Sequence, residues 1–437
     1  MKIKAGISAL ILSVVVFFGG CSLGINDQSL LNPPKTTGKE AQLESLISQS
    51  ADGDYKLKYP QNGEYRSAII TKDLNGDKKD EAIAFYHLES DEKNTYVLIM
   101  YDTGKKWKIS GNFKVNHTDV DCVQFDDYDY DGVEEIFTGF LISNSPYNEL
   151  NIFDYSPEKH NANRSDFSLN YSSFTTGDYD QDGGSEILSF TLSSSEADAG
   201  AVLTDYDKNK LYTLSSCPMD RNVTKFDNTE SGLINKETMG VAVDGILEKG
   251  YNSQVIYYNS QKRRLFNYPM STSKNQNITT RSEKIHCTDI DHDGFIEIPV
   301  IAGNKTDSNS KSVAPLISWS GLNTKTNKLI TKVKCISDFE YGYYFKLPEN
   351  FSDATTAFLS DDSRTMQIYS DNSGNPENLI ATFKVFDVGT SPDDMNGYST
   401  LESYNQYIYT YKIEENSPVS ISGDTLKENF ALNDLGA

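Results

Sequence analysis

Apolar residues in this chain come in short runs, and similar runs return at a long, nearly fixed interval. Residues 82–85, 136–140, 187–190 and 298–300 are such runs, each immediately preceded by an acidic loop. Length and flanking turn residues make them short buried strands rather than helices. A second set of strand signals follows at 96–101, 150–155, 201–206, 254–258 and 315–319. Past a polar turn come the partners of four of these, at 107–110, 210–214, 264–268 and 329–335; the partner in the second unit, around 166–169, is poorly patterned. With a strand ahead of each acidic loop, as at 120–125 and 171–175, every unit has four strands. Four-stranded units in series predict a mainly β chain and the blades of a β-propeller.

The acidic loops carry the chemistry. Asp127, Asp129, Asp131 and Glu135 stand at positions 1, 3, 5 and 9 of one loop, and Asp178, Asp180, Asp182 and Glu186 repeat them. Asp289, Asp291, Asp293 and Glu297 form another copy. A looser one has Asp73, Asn75, Asp77 and Glu81, with Lys78 where the others have glycine and Gly76 at position 4. Alternate oxygen-bearing side chains on a tight turn suit a hard cation, since Ca²⁺ takes about six to eight oxygens at roughly 2.3–2.6 Å. Glycine at position 6 permits the positive φ of a sharp turn. An EF-hand closes on a glutamate at position 12 between helices; here the glutamate comes at position 9 and a strand follows.

The closing glutamates are separated by 54, 51 and 111 residues. The last interval is close to two periods, which places a degenerate unit near residue 241, where 238–247 is apolar and lacks the carboxylates. Five units of about 50–56 residues therefore run from about 55 to 335. These loops at this period resemble the FG-GAP/VCBS repeats of integrin-type propellers. The resemblance covers residues 55–335 and implies that each loop joins the first two strands of a blade and holds calcium, up to four ions in all. It implies little about biological role, because one scaffold serves many.

The first residues read as an address. Lys2 and Lys4 precede an apolar run at 9–18 and then Gly19-Gly20-Cys21. A basic start, a short apolar core and small residues before the cleavage point make residues 1–20 a signal peptide. The ending resembles a bacterial lipobox, which implies lipidation of Cys21 and anchoring to the outer face of a bacterial cell membrane. Residues 21–54 then form a tether and a short helix, opened by a capping box at Thr37-Gly38-Lys39-Glu40, with Leu43, Leu46 and Ile47 on one face. That face is expected to pack on the propeller or to bind a partner.

The net charge is −23, and loss of residues 1–20 with their two lysines would make it −25. Four divalent ions would neutralise eight of those charges. Such acidity argues against nucleic acid and anionic bilayer surfaces as partners. Cys122, Cys217, Cys287 and Cys335 show no paired spacing and read as small buried hydrophobes.

Residues 336–437 break the repeat. Strand signals at 355–359, 366–369, 380–385 and 407–413 precede a short helix near 425–430. The opening YGYYFKLPENF resembles the small PsbP/Mog1-like α+β domain of exported bacterial lipoproteins; the rival expectation is one or two further blades, for a total of five to seven. No catalytic residue emerges. The five histidines (His87, His117, His160, His286 and His292) form no metalloprotease signature, and no nucleophile elbow or phosphate-binding glycine loop is present. The expectation is a non-enzymatic, adhesion-type module for an extracellular protein or glycan. A structural role in an envelope assembly is the alternative, and a carbohydrate-active enzyme comes third.

Overall fold

The computed structural model describes residues 38–195, 197–207, 210–269, 277–301 and 312–432. The expected signal peptide, Cys21, and the expected tether as far as Thr37 lie outside the described residues. The chain is mainly β, with six antiparallel sheets among the described residues.

Sheet I contains Ile69–Lys72, Glu81–Leu88, Asp91–Asp102 and Trp107–Val115, with Tyr55–Leu57 added beside the second of these. Sheet II runs Asp119–Asp126, Glu135–Leu141, Asn148–Ser156 and Asn161–Tyr171. Sheet III runs Ser173–Gly177, Glu186–Thr191, Gly200–Asp207 and Lys210–Pro218. Sheet IV runs Lys225–Asn235, Thr238–Ile246, Tyr251–Asn259 and Arg264–Tyr268. Each of II to IV is a simple up-and-down meander. The poorly patterned partner in the second unit is a full strand of eleven residues, Asn161–Tyr171. It is polar because it lies at the sheet edge, where alternate residues face water.

Successive sheets pack face to face, and each interface has its own core. Alternation along the second strands shows how. Ile136 and Phe140 join Ile83, Phe85 and Val97 of sheet I, whereas Phe137 turns the other way to join Phe174 and Ile187 of sheet III. Leu188 and Phe190 of sheet III then meet Val241 and Val243 of sheet IV. Ala242 and Val255 of sheet IV meet Ile298 and Leu322 beyond them. A strand buried on both faces has a continuous apolar sequence rather than an alternating one, which is why these runs read as unbroken.

Sheet V contains Ile298–Ile301, Leu316–Asn323, Lys328–Asp338, Tyr343–Lys346 and Phe430–Leu432. The strand expected before its acidic loop is reduced to a single bridge between Thr288 and Glu297. Sheet VI is built from Ser312–Val313, Thr356–Leu359, Thr365–Tyr369, Leu379–Asp387, Tyr407–Ile413 and the edge strand Ser399–Tyr404. The boundary expected between residues 335 and 336 falls inside the strand Lys328–Asp338. Strands cross it in both directions: Tyr343–Lys346 and Phe430–Leu432 complete sheet V, and Ser312–Val313 enters sheet VI. Ile336, Tyr343 and Phe345 of sheet V share a core with Met366, Ile368 and Phe383 of sheet VI. A short helix, α2 (Gly423–Asn429), is capped by the Ser422 side chain and buries Leu426 in that core.

Helix α1 (Lys39–Ala51) covers the free face of sheet I. Leu43, Ile47 and Ala51 pack against Ala82, Ala84, Tyr86 and Leu98, with Leu46 half-buried beside them. Gly38 is its N-cap, at φ 70°; the capping box expected from Thr37 lies outside the described residues. Among the described residues no helix is long and apolar enough to cross a membrane. The four cysteines are free and buried.

Ile47 is fully buried, so Ile47→Ala is expected to lower stability by about 2–5 kcal/mol, as for other core truncations. Denaturant unfolding measures it. A negligible shift would mean that this face serves a partner rather than sheet I.

Candidate metal centres

Each acidic loop joins the first two strands of a sheet or, in sheet V, crosses from Thr288 to Ile298–Ile301. Glu81, Glu135 and Glu186 are the first residues of second strands, and Glu297 immediately precedes one. All four glutamates are buried. In every loop Oε2 of this glutamate accepts the N–H of position 2: from Leu74 at 3.1 Å, Tyr128 at 3.1 Å, Tyr179 at 2.8 Å and Ile290 at 3.3 Å. Position 3 accepts the N–H of position 5 in all four loops, at 2.9–3.3 Å. Position 5 accepts the N–H of position 7 at 2.8–3.0 Å. One oxygen of each side chain thus shapes the turn.

Two residues per loop take positive φ, at positions 4 and 6: Gly76 and Lys78, Tyr130 and Gly132, Gln181 and Gly183, His292 and Gly294. The first loop therefore has the same backbone as the others with its glycine moved to position 4. His292 is exposed at position 4.

Three loops bring their acids together. Asp127, Asp129 and Glu135 form one group, Asp178, Asp180 and Glu186 a second, and Asp289, Asp291, Asp293 and Glu297 a third, with one oxygen from each residue within 4.8 Å of the rest of its group. Asp131 and Asp182 stand outside these groups, with Oδ1 of each bonded to the position 7 N–H. Asp73, Asp77 and Glu81 are not gathered in this way. There the Lys79 ammonium lies 3.1 Å from Asp77 Oδ2, and its bond holds the Asp77 carboxyl below the usual range. Of the expected sites, the first is the one whose acids the structure does not gather; in the last loop Lys332 likewise lies 3.1 Å from Asp293 Oδ2, and the acids there still converge.

The donor set fits a hard divalent cation. Asp127 Oδ1, Asp178 Oδ1, Glu186 Oε1 and Glu297 Oε1 are buried oxygens without a hydrogen-bond partner. A buried carboxylate oxygen left unpaired is costly unless a cation meets it. Burial first, and neighbouring acids second, push Glu135 up to about 9, with Asp129 the main neighbour, and Glu186 up to about 8, with Asp180. Glu297 rises to about 7 through burial and then Asp291 and Asp293, and Glu81 also to about 7, mainly through burial.

Sequence reasoning missed two acids. Asp154 and Asp205 lie on third strands, next to Phe153 and Thr204, which pair with Ile136 and Ile187. Burial, followed by the Asp129 charge, raises Asp154 to about 6, and the Asp205 charge helps raise both Asp180 and Glu186. Their 51-residue separation equals that of Glu135 and Glu186, a repeat signal that was available in the sequence.

The loops also touch one another. Glu134 N–H donates to Leu74 O at 2.8 Å, and Ser185 Oγ to Asp126 Oδ1 at 2.7 Å. Tyr130 Oη donates to Asp182 Oδ1 at 3.3 Å, and Gln181 Nε2 to Glu237 O at 2.9 Å. In sheet IV the corresponding connection, Asn235 to Thr238, is a tight hairpin that lacks the alternating acids of the other loops and keeps one carboxylate, Glu237.

No family model matches the chain, and no curated protein matches it. Among solved structures, a rhamnogalacturonan lyase PL11 of Bacillus licheniformis aligns over 82% of this chain and 89% of its own, at 11% identity and a TM-score of 0.31. The exotype rhamnogalacturonan lyase YesX aligns over 76% of this chain and 73% of its own, again at 11% identity and a TM-score of 0.31. At that level the likeness carries no statement about the fold or activity of this chain.

Two outcomes are expected. Ligand that binds only the folded state adds about 2.7 kcal/mol per site at a hundredfold excess over Kd. Asp129→Ala or Asp180→Ala should therefore lower the melting temperature clearly in Ca²⁺ and much less in EGTA; equal losses in both would remove that loop as a metal site. The second outcome concerns pH. An acid whose pKa is raised on folding holds its proton more tightly in the folded state. Its stabilising contribution is present below the unfolded value of about 4.3 and is lost as pH rises through the folded values of about 7 to 9. Calorimetry of the chelated protein from pH 5 to pH 9 should show a falling melting temperature, flattened by Ca²⁺. Parallel slopes with and without the ion would contradict a cation in place of the proton.

Proposed function

We propose that the protein is a calcium-stabilised, propeller-type binding module, lipid-anchored through Cys21 at the outer face of a bacterial cell membrane, which takes an extracellular glycan or protein partner. One observation carries the metal half of this reading: three loops place converging carboxylates with unpaired buried oxygens at equivalent joints of the fold. An all-oxygen donor set favours Ca²⁺ over metals that select nitrogen or sulfur. In this reading Asp127, Asp129 and Glu135 hold one ion; Asp178, Asp180 and Glu186 a second; and Asp289, Asp291, Asp293 and Glu297 a third. The ion supplies charge neutralisation and a fixed loop shape; no catalytic role is assigned to any residue.

Sheets I to V are the blades. Sheet VI with α2 is the α+β element expected at the C-terminus, docked on sheet V. Support for a blade-like series comes from one core per pair of successive sheets, each with the same handover across the second strand. The anchor rests on the sequence at Gly19-Gly20-Cys21 alone.

The reading is tested on residues 22–437, immobilised and exposed to envelope extract in Ca²⁺ or EGTA. Retention of a glycan or protein only in Ca²⁺ is expected. Retention indifferent to the ion would favour a docking role in an envelope assembly, and an empty column in both would end the binding-module reading. In the full chain, Cys21→Ala should move the protein from the membrane to the soluble fraction; unchanged fractionation would remove the lipid anchor.

A further inference from the structure

A cavity of about 490 Å³ opens where sheets II, III and IV converge. It lies at the sheet edge opposite the metal loops. The loops leave the C-terminal ends of first strands, whereas the cavity is lined by the N-terminal parts of those strands and by Leu141 and Leu192 at the ends of second strands. Its size is within the about 300–1,000 Å³ of small-molecule sites.

The lining is built around Asp121, a buried carboxylate. Asn62 Nδ2 donates to its Oδ1 at 2.7 Å. Asn148 Nδ2 at 2.9 Å and Tyr171 Oη donate to its Oδ2. With both oxygens engaged, Asp121 is poorly placed as a metal ligand. It fixes two amides whose carbonyl oxygens remain to accept from a ligand. Across the cavity, Asp227 is held by His286 Nε2 at 2.8 Å and Lys284 at 3.4 Å, which together hold its carboxyl below the usual range against the opposing effect of burial. Phe174 and Phe226 add ring surface, and Ser173 and Thr229 add hydroxyls.

Fixed amides and hydroxyls alternating with aromatic surface complement a molecule that is hydroxylated at its edges and apolar on its faces. The two carboxylates, against Lys225 alone among cations lining the cavity, disfavour an anionic ligand. The geometry points to a binding site for a neutral saccharide in this cavity, with Asn62 and Asn148 as hydroxyl-recognising residues positioned by Asp121. The inference deepens the binding-module reading by naming its ligand class and place.

The test titrates residues 22–437 in Ca²⁺ with maltotriose, cellotriose and mannotriose, and with trigalacturonate as the anionic counterpart. Calorimetry or saturation-transfer NMR reads the binding. At least one neutral trisaccharide is expected to bind. Ser173→Trp, which fills the cavity, should weaken it more than tenfold. Asn62→Ala, at an exposed residue whose loss leaves the fold intact, should weaken it about fivefold. Retention of the Ca²⁺-dependent melting shift in both variants shows that they fold. Three results would overturn the proposal: no neutral trisaccharide bound, binding unchanged in Ser173→Trp, or preference for trigalacturonate. Envelope retention that survives Ser173→Trp would remove this site and leave the binding module standing.

Discussion

The closing glutamate is the joint on which the architecture turns. It is the first residue of a second strand, or directly precedes one, and its carboxylate also reaches back to the N–H of loop position 2. Sheet and loop are thereby fixed to each other through one buried acid. Burial makes the charge expensive, and the neighbouring aspartates make it more so. A proton or a cation must meet that charge, so formation of the loop and neutralisation of the acid are one event. In the first loop the Lys79 ammonium meets Asp77 alone, and burial still raises the closing Glu81.

Sheet IV shows what replaces the joint when the alternating acids are gone. Its hairpin needs no cation, and the nearest buried charges are elsewhere in the unit. Arg281 and Asp244 are both almost fully buried, with Nη2 3.0 Å from Oδ1. Asp244 also accepts from Ser253 Oγ, Cys287 N–H and Cys287 Sγ. This pair ties the segment that leads to the next acidic loop onto sheet IV. A buried pair of this kind contributes specificity of placement more surely than net stability. Gly250, at φ +87°, lets the chain turn directly against the Arg281 carbonyl, where no side chain would fit.

Much of this was legible because the repeat is chemical as well as hydrophobic. Oxygens at alternate positions survive changes in everything around them, so four loops and a degenerate fifth unit stood out. What escaped notice had a physical reason in each case. Ser399–Tyr404 is a largely exposed edge strand with no apolar pattern to read. The boundary near 335 was drawn where the repeat ends, whereas one core spans it, holding Ala314 and Leu316 together with Ile336 and Phe383. Asp154 and Asp205 carry no motif of their own; only their register with Glu135 and Glu186 marks them. The first loop looked defective because glycine was sought at one position, although the turn has two left-handed positions and either can take it.

Core sharing between successive sheets sets the rules for the ends of the array. An interior sheet has a neighbour on each face and can be apolar on both, but a terminal sheet needs something that is not another sheet. Helix α1 fills that role for sheet I, presenting Leu43, Ile47 and Ala51 inward and a polar surface outward. It is the terminator of a linear polymer of sheets: without it, the exposed face would offer the same surface that each sheet offers the next. On this view the thirteen residues of the helix decide where the series of sheets stops.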